Sequence, residues 1–334
     1  MKRSFTTNTQ IFQTTKGVRL AVTKQSASSI KRLLTKGRHN PIPICFGLMT
    51  SSTSLVPIKT SKDLRLLRQD WRNPVGLVPT MGALHEGHLQ LIRHAAHYAE
   101  EVVVSIFVNP TQFAANEDLE SYPRSLASDI EMAQLAGATQ IFAPNVTDLY
   151  PNGFSTYVVP SGPLVERWEG RSRPHFFRGV CTVVCKLFQI IQPTFAIFGQ
   201  KDFQQLQVVR QMVSDLNFQI EIQALPTVRE EDGLAMSSRN AYLDSEERKV
   251  APLLYQTLQK AAAIIQNNPK QNLDVLSQNL TSQLNAVPQI KIDYLSFVDA
   301  ESLQPVSQFN GNVCLMVAAF VGNTRLIDNL LIQT

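Results

Sequence analysis

Cysteine is scarce in this chain of 334 residues: there are four, and two of them, Cys181 and Cys185, share one apolar stretch. That is not a disulfide framework, and it points to a reducing compartment. No window approaches 18 consecutive apolar residues, so neither a transmembrane helix nor a membrane partner is expected. Glycine (15) and proline (18) stand at ordinary levels, which excludes collagen-like and low-complexity chains. Acidic residues are missing altogether from residues 1–60, which hold ten Lys and Arg. Residues 61–334 hold all 27 acidic residues against 21 basic ones. The net charge of +4 therefore hides a mildly acidic body, and the basic pI is no argument for nucleic-acid binding by that body. An apolar content of 44% supplies a sizeable core, and the length suggests about two domains.

Residues 1–54 are rich in Ser, Thr, Lys and Arg and show no sustained helical or strand period. Their composition fits an organellar transit peptide, a basic arm for nucleic acid, or an unstructured tail. The tail is the favoured reading, with Met49 as a possible true start. No apolar stretch follows the first basic residues, so a secretory signal is not expected. A cytoplasmic location follows, or an organellar one if the segment is a transit peptide.

From residue 55 onward, short apolar runs alternate with helical patterns. Val75–Pro79, Val102–Val108, Gln140–Ala143, Phe195–Phe198 and Gln219–Ala224 read as strands. Helical spacing covers 88–99, 128–136, 180–191 and 203–216. This alternation predicts an α/β fold: a Rossmann-like, doubly wound parallel sheet over 55–225. Beyond about residue 225 the pattern changes. Glu246–Gln266 and Leu273–Leu284 read as amphipathic helices, and Lys291–Val298 and Val313–Val321 as strands. A smaller α+β domain over 226–334 is expected.

Four motifs carry chemistry. Pro79-Thr-Met-Gly-Ala-Leu-His85-Glu-Gly87-His88 lies where the first strand ends and a helix begins. Unpaired N–H groups at a helix start suit phosphate, and two histidines three apart can donate hydrogen bonds to phosphate oxygens. The zinc-protease spacing H-E-x-x-H is absent. Ser105–Phe113 leaves the second strand with Asn109 and Gln112, amides able to read a small polar substrate. Phe195–Gln205 follows a strand and opens a helix; Lys201 offers a phosphate-binding cation, and Asp202 a carboxylate for Mg²⁺ or a ribose. Val228–Asn240 sets two hydroxyls, Ser237 and Ser238, beside Arg239, a set suited to a triphosphate. His94 and His97 read as solvated helix residues, and Cys181 and Cys185 as buried structural cysteines.

PTMGALHEGH (79–88), SIFVNPTQF (105–113), FGQKDFQQ (198–205) and GLAMSSRNAYL (233–243), in this order, resemble the pantothenate synthetase (pantoate–β-alanine ligase) family. Tyr122–Arg124, Tyr150–Gly153 and Leu326–Asn329 extend the likeness. The resemblance implies a Rossmann-type domain, a smaller C-terminal lid and a homodimer. It implies that ATP and (R)-pantoate form pantoyl adenylate and pyrophosphate, and that β-alanine then gives pantothenate and AMP, with Mg²⁺ required. Carried over by position, Met81, Gly82, Ala83, Leu84, His85, Glu86, Gly87 and His88 would bind ATP, with His88 the proton donor. Gly199, Gln200, Lys201, Asp202, Val228, Met236, Ser237, Ser238 and Arg239 would complete the nucleotide site. His85, His88, Lys201 and Arg239 would be catalytic. Gln112 would hold pantoate and then β-alanine, Gln205 would hold pantoate, and Asn109 would support them.

Two positions depart from the family pattern. Gln200 stands where the family usually has Glu, and His175 is displaced by one place from the family's histidine, so that residue's role does not transfer to it. Two other readings are weighed: a nucleotidylyltransferase acting on a phosphorylated acceptor, and a non-catalytic nucleic-acid-binding relative. The neutral amides argue against the first, and the intact motif set together with the acidic body argues against the second.

Overall fold

The computed structural model describes residues 54–114 and 117–333, together with the backbone of two strands nearer the N-terminus, β1 (Thr9–Gln13) and β2 (Arg19–Thr23). β1 and β2 pair antiparallel, Thr9 opposite Thr23 and Gln13 opposite Arg19, within a unit spanning Met1–Ser52. This hairpin is regular structure that the sequence pattern did not suggest. The readings of residues 1–54 as transit peptide, arm or tail otherwise fall on residues outside those described.

The second unit, Thr53–Thr334, holds two sheets. The larger comprises β3 (Val75–Thr80), β4 (Glu101–Ile106), β5 (Gln140–Phe142), β6 (Phe195–Gly199) and β7 (Glu221–Leu225). All are parallel, in the order β5-β4-β3-β6-β7. The chain winds outward from β3 through β4 to β5, then crosses to β6 and β7 on the other side. The resulting switch point, beyond the carboxyl ends of β3 and β6, is where open α/β sheets bind ligands. The expected strands are all present.

Period-two alternation divides the core. Leu77, Val103, Ala196 and Phe198 face one side, while Val78, Val102, Val104 and Ile197 face the other. Both faces are covered by helices, as continuous apolar strands require. These are α1 (Ser61–Arg68), α2 (Glu86–Tyr98), α3 (Leu126–Leu135), α4 (Phe176–Ile191) and α5 (Phe203–Asp215). The sequence reading missed α1, where Leu64 is the one fully buried side chain. Tertiary contact holds it: the Arg68 guanidinium donates to the carbonyls of Ile191 (2.9 Å) and Gln192 (3.1 Å), closing the C-terminus of α4.

The C-terminal domain packs α6 (Leu253–Asn267) and α7 (Leu273–Asn285) on an antiparallel sheet. Its strands are β8 (Ile290–Asp299), β9 (Asn312–Val321) and β10 (Thr324–Gln333), in the order β10-β9-β8. Two expectations are corrected here. The helix read over Glu246–Gln266 is two helices, Ser245–Val250 and α6, because Pro252 has no N–H to continue the first. Strand β10 was not foreseen, because Arg325, Asp328 and Asn329 interrupt its apolar alternation. Cys181 and Cys314 are buried, whereas Cys185 is only half-buried. Among the described residues no helix is long and apolar enough to cross a membrane.

Candidate active site

A cavity of about 220 Å³ opens at the switch point, and all four motifs contribute to its walls. Met81, His85, Gly87 and His88 come from the β3–α2 turn, Asn109 and Gln112 from the segment after β4. Gly199, Lys201, Asp202 and Gln205 come from the β6–α5 turn. Val228, Met236, Ser237, Ser238 and Arg239 come from the loop after β7. The floor is apolar, made by Val180, Val183, Val184 and Leu187 of α4.

His85 caps α2 and its ring lies 4.1 Å from that of His88. The His85 backbone N–H donates to Nδ1 of His88 (3.4 Å), an assignment that leaves the His88 proton on Nε2. Burial, with the nearby Lys201 cation adding to it, lowers His85 to about 4. Burial, then His85 and Lys201, lowers His88 to about 3. Both imidazoles are therefore neutral at neutral pH, and they act as hydrogen-bonding groups rather than as cations. Nδ1 of His85 is buried without a hydrogen-bond partner.

The backbone between Met81 and His85 turns through two left-handed residues, Gly82 (φ 85°) and Ala83 (φ 49°). Successive N–H groups there converge on the carboxylate of Asp129: Ala83 at 3.0 Å and Leu84 at 2.8 Å. Asp129 is 1% exposed, and burial raises its carboxyl above the usual carboxylate range while the two N–H bonds pull it down. An internal carboxylate thus takes the two N–H groups just before the helix start. Gly82, Ala83 and Leu84 accordingly stand behind the cavity wall and do not line it, and Glu86 points away to an exposed pair with Arg93. Asp129 escaped the sequence reading; its one signal is an acid on the otherwise apolar face of the helix expected over 128–136.

Lys201 is largely buried, 4.0 Å from the half-exposed carboxylate of Asp202. Across the cavity the Arg239 guanidinium pairs with Asp118 through two bonds, Nε to Oδ2 (3.1 Å) and Nη2 to Oδ1 (2.9 Å). Burial opposes charge on Asp118, but the Arg239 hydrogen bonds override it and lower its carboxyl. Tyr122 meets Ser238 (3.0 Å), and the Ser237 hydroxyl accepts from the Arg239 N–H (3.3 Å). Gln200 does not line the cavity. Its backbone bonds to Leu225 and to Asn329, so the departure from the family's glutamate falls outside the cavity wall. Among the described residues no cluster of three or more His, Cys, Asp or Glu could hold a metal alone. The one carboxylate lining the cavity, Asp202, fits Mg²⁺ in the manner typical of that ion, one protein carboxylate plus substrate phosphates.

Asn109 is fully buried and its hydrogen bonds are all internal. Its Oδ1 accepts from Tyr150 (2.9 Å) and Thr111 (3.0 Å), while Nδ2 donates to Oε1 of Gln112 (3.1 Å) and to the Gly179 carbonyl (3.1 Å). Asn109 thus orients Gln112, whose Nε2 lies 3.0 Å from the Met81 sulfur. Gly179 lets α4 press against this loop: a Cβ there would lie 2.4 Å from the Thr111 carbonyl oxygen. Gln205 reaches the cavity from the first turn of α5. Arg173 braces the same wall, donating to Glu117 through two bonds and to the Gln112 carbonyl (3.1 Å). His175 is exposed and outside the cavity, His94 bonds to Gln223 (3.2 Å), and His97 is exposed.

A doubly wound sheet whose switch-point cavity joins a helix N-terminus, two neutral histidines, a lysine and an arginine defines an enzyme of the nucleotide-binding α/β class. Residues 57–331 match the model of the Pantoate-beta-alanine ligase family. The chain is 50% identical over 258 residues to pantothenate synthetase of Thermosipho melanesiensis, covering 77% of this chain and 91% of that one. It is 48% identical over 278 residues to pantothenate synthetase of Thermotoga petrophila, covering 82% and 99%. Among solved structures, that of the Thermus thermophilus enzyme superposes with a TM-score of 0.80 at 46% identity, covering 83% of this chain and 99% of that one. The Francisella tularensis ligase, complexed with beta-gamma ATP and beta-alanine, superposes with a TM-score of 0.69 at 34% identity, covering 84% and 98%. The chain belongs to the pantoate–β-alanine ligase family.

Proposed function

We propose that this enzyme condenses (R)-pantoate with β-alanine at the expense of ATP, through pantoyl adenylate, releasing pyrophosphate and AMP. The observation that carries the reading is the convergence of all four family motifs on one cavity. A carboxylate is a poor electrophile, and adenylation supplies its leaving group. In that step negative charge builds on the α-phosphate and on the departing pyrophosphate. His85 and His88 face this charge as neutral donors, with Lys201 and Arg239 as cations lining the same cavity. With Nδ1 engaged by the His85 N–H, His88 keeps its proton on Nε2 and donates that hydrogen bond to the oxygens on which charge builds as pyrophosphate departs.

Gln112 and Gln205 orient pantoate over the apolar floor, and Gln112 then meets β-alanine. The amine attacks an acyl adenylate held in place, which removes most of the entropic barrier. Asp202 would hold the Mg²⁺ carried by the triphosphate, which supplies further charge neutralisation. Residues 55–225 act as the nucleotide-binding domain and 226–334 as the lid. The enzyme works as a cytoplasmic homodimer with no nucleic-acid partner, which sedimentation of the purified chain and localisation of a tagged copy would check.

The decisive assay follows AMP release from ATP, Mg²⁺ and pantoate, with and without β-alanine. AMP and pantothenate appearing together only when both substrates are present is the expected result. AMP formed independently of β-alanine, or no turnover by a protein that binds ATP, overturns the assigned acceptor.

A further inference from the structure

The two loops that would grip the triphosphate leave the parallel sheet from adjacent strands, β6 and β7. Both are tied to two consecutive residues of β10, far away in sequence. The Asn329 amide donates both of its hydrogens to consecutive carbonyls of the first loop, Gln200 (2.9 Å) and Lys201 (2.9 Å). The Asp328 carboxylate takes Arg229 of the second loop through two bonds, 2.6 and 2.9 Å. Arg229 in turn donates to the Gly233 carbonyl (3.1 Å) and lies over the Tyr255 ring at 3.4 Å. Its strand-like bridge to Ala235, with the Met236 N–H bonded to the Val228 carbonyl (2.9 Å), closes the segment that ends at Ser237–Arg239. Both β10 residues are 5% exposed, and the main-chain N–H of Asn329 donates to Asp328 Oδ1 (2.8 Å), joining the two ties.

Resting on the ATP-dependent reading above, we propose that Asp328 and Asn329 form a positioning pair through which the C-terminal sheet sets the separation of Lys201 from Ser237–Arg239. Neither residue lines the main cavity, so neither touches the nucleotide there. A backbone carbonyl held on each side of the Lys201 Cα fixes the direction in which the Lys201 side chain leaves the loop. The arginine pair fixes the other jaw. Rigid attachment of both jaws to one strand holds the ammonium and guanidinium at a fixed separation, the supporting layer that phosphate chemistry demands.

The test compares full-length wild type with Asn329→Ala and Asp328→Asn. It measures the ATP dissociation constant by calorimetry, KM values for ATP and β-alanine, and thermal melting. Loss of both amide donors is expected to weaken ATP binding about tenfold, on the scale of two ordinary hydrogen bonds, and to slow pyrophosphate release. KM for β-alanine should stay within about twofold, because that substrate meets Gln112 on the opposite wall. Asn329→Ser, which keeps one donor, should recover part of the ATP affinity, and it stands in if the alanine variant does not fold. ATP affinity unchanged in both variants, or ATP and β-alanine parameters falling together with the melting temperature, would overturn the proposal. If wild type binds ATP but does not turn over pantoate, the assigned reaction fails, while the ATP dissociation constants still decide the role of the pair.

Discussion

Replacing Asp129 with alanine should damage the site from behind. The substitution removes the acceptor for the N–H groups of Ala83 and Leu84, which now reach it at 3.0 and 2.8 Å. The Leu84 donor is buried and that of Ala83 partly so, and no other acceptor is bonded to either. An unsatisfied buried donor costs about 1–3 kcal/mol, so the pair costs about 2–6 kcal/mol. In a folded unit of this size each kcal/mol moves Tm by about 2–4 °C, which puts the expected drop on the order of 10 °C. The kinetic effect should be larger in kind. The left-handed conformation of Ala83 persists only because these bonds over-determine it, and releasing it lets Met81 and His85 drift. Misplacement of about 1 Å costs up to about 10² in rate. Asp129→Asn keeps one carbonyl oxygen and should retain about half of the lost stability. The assay is single-turnover pyrophosphate release without β-alanine, run beside a thermal melt. An alanine variant melting at the wild-type temperature with the wild-type rate would show that the carboxylate does not hold the loop.

His88→Ala should slow pyrophosphate release by at least ~10², read in the same single-turnover assay. Acid should destabilise the fold through its histidine pair. His85 and His88 are held near 4 and 3, below the ordinary 6.5, so the unfolded chain binds more protons. Their contribution is fully present above 6.5 and is lost as pH falls toward those values. Denaturant titrations of wild type and of a double His→Gln variant between these limits should show the steeper pH slope in wild type. Deleting residues 1–48 should leave kcat and KM unchanged, because the family match begins at residue 57; a folded truncation with lost activity would refute this.

The strands of the parallel sheet were legible because Val75–Pro79 and Val102–Val108 bury both faces and so read as unbroken apolar runs. The motif residues were legible because each set is contiguous. Much of what escaped beyond residue 60 shares one cause: its partner is distant in the chain. Asp129 meets residues 45 and 46 positions earlier, Asp118 meets Arg239 across 121, and Asn329 meets the Lys201 loop across 128. Strand β10 was hidden for the same reason, since the polar residues that mask its alternation meet distant partners: Arg325 the carboxylates of Glu169 and Asp293, Asp328 and Asn329 the two loops. Glu246–Gln266 misled because its apolar spacing continues through Pro252, and spacing alone does not register a missing N–H.

Gly179 gives the site a particular mutational landscape. It sits in the middle of a helix turn and touches the Asn109 amide only through its carbonyl, yet an added methyl group would collide with main-chain atoms of Thr111 that cannot swing aside. In a library carrying every substitution across Phe176–Ile191, conservative exchanges among Val180, Val183 and Val184 would reshape the floor and be graded in their effects. At position 179 even alanine, ordinarily the most forgiving helix replacement, would be rejected. The residue with the smallest side chain in the helix thereby becomes its least exchangeable one.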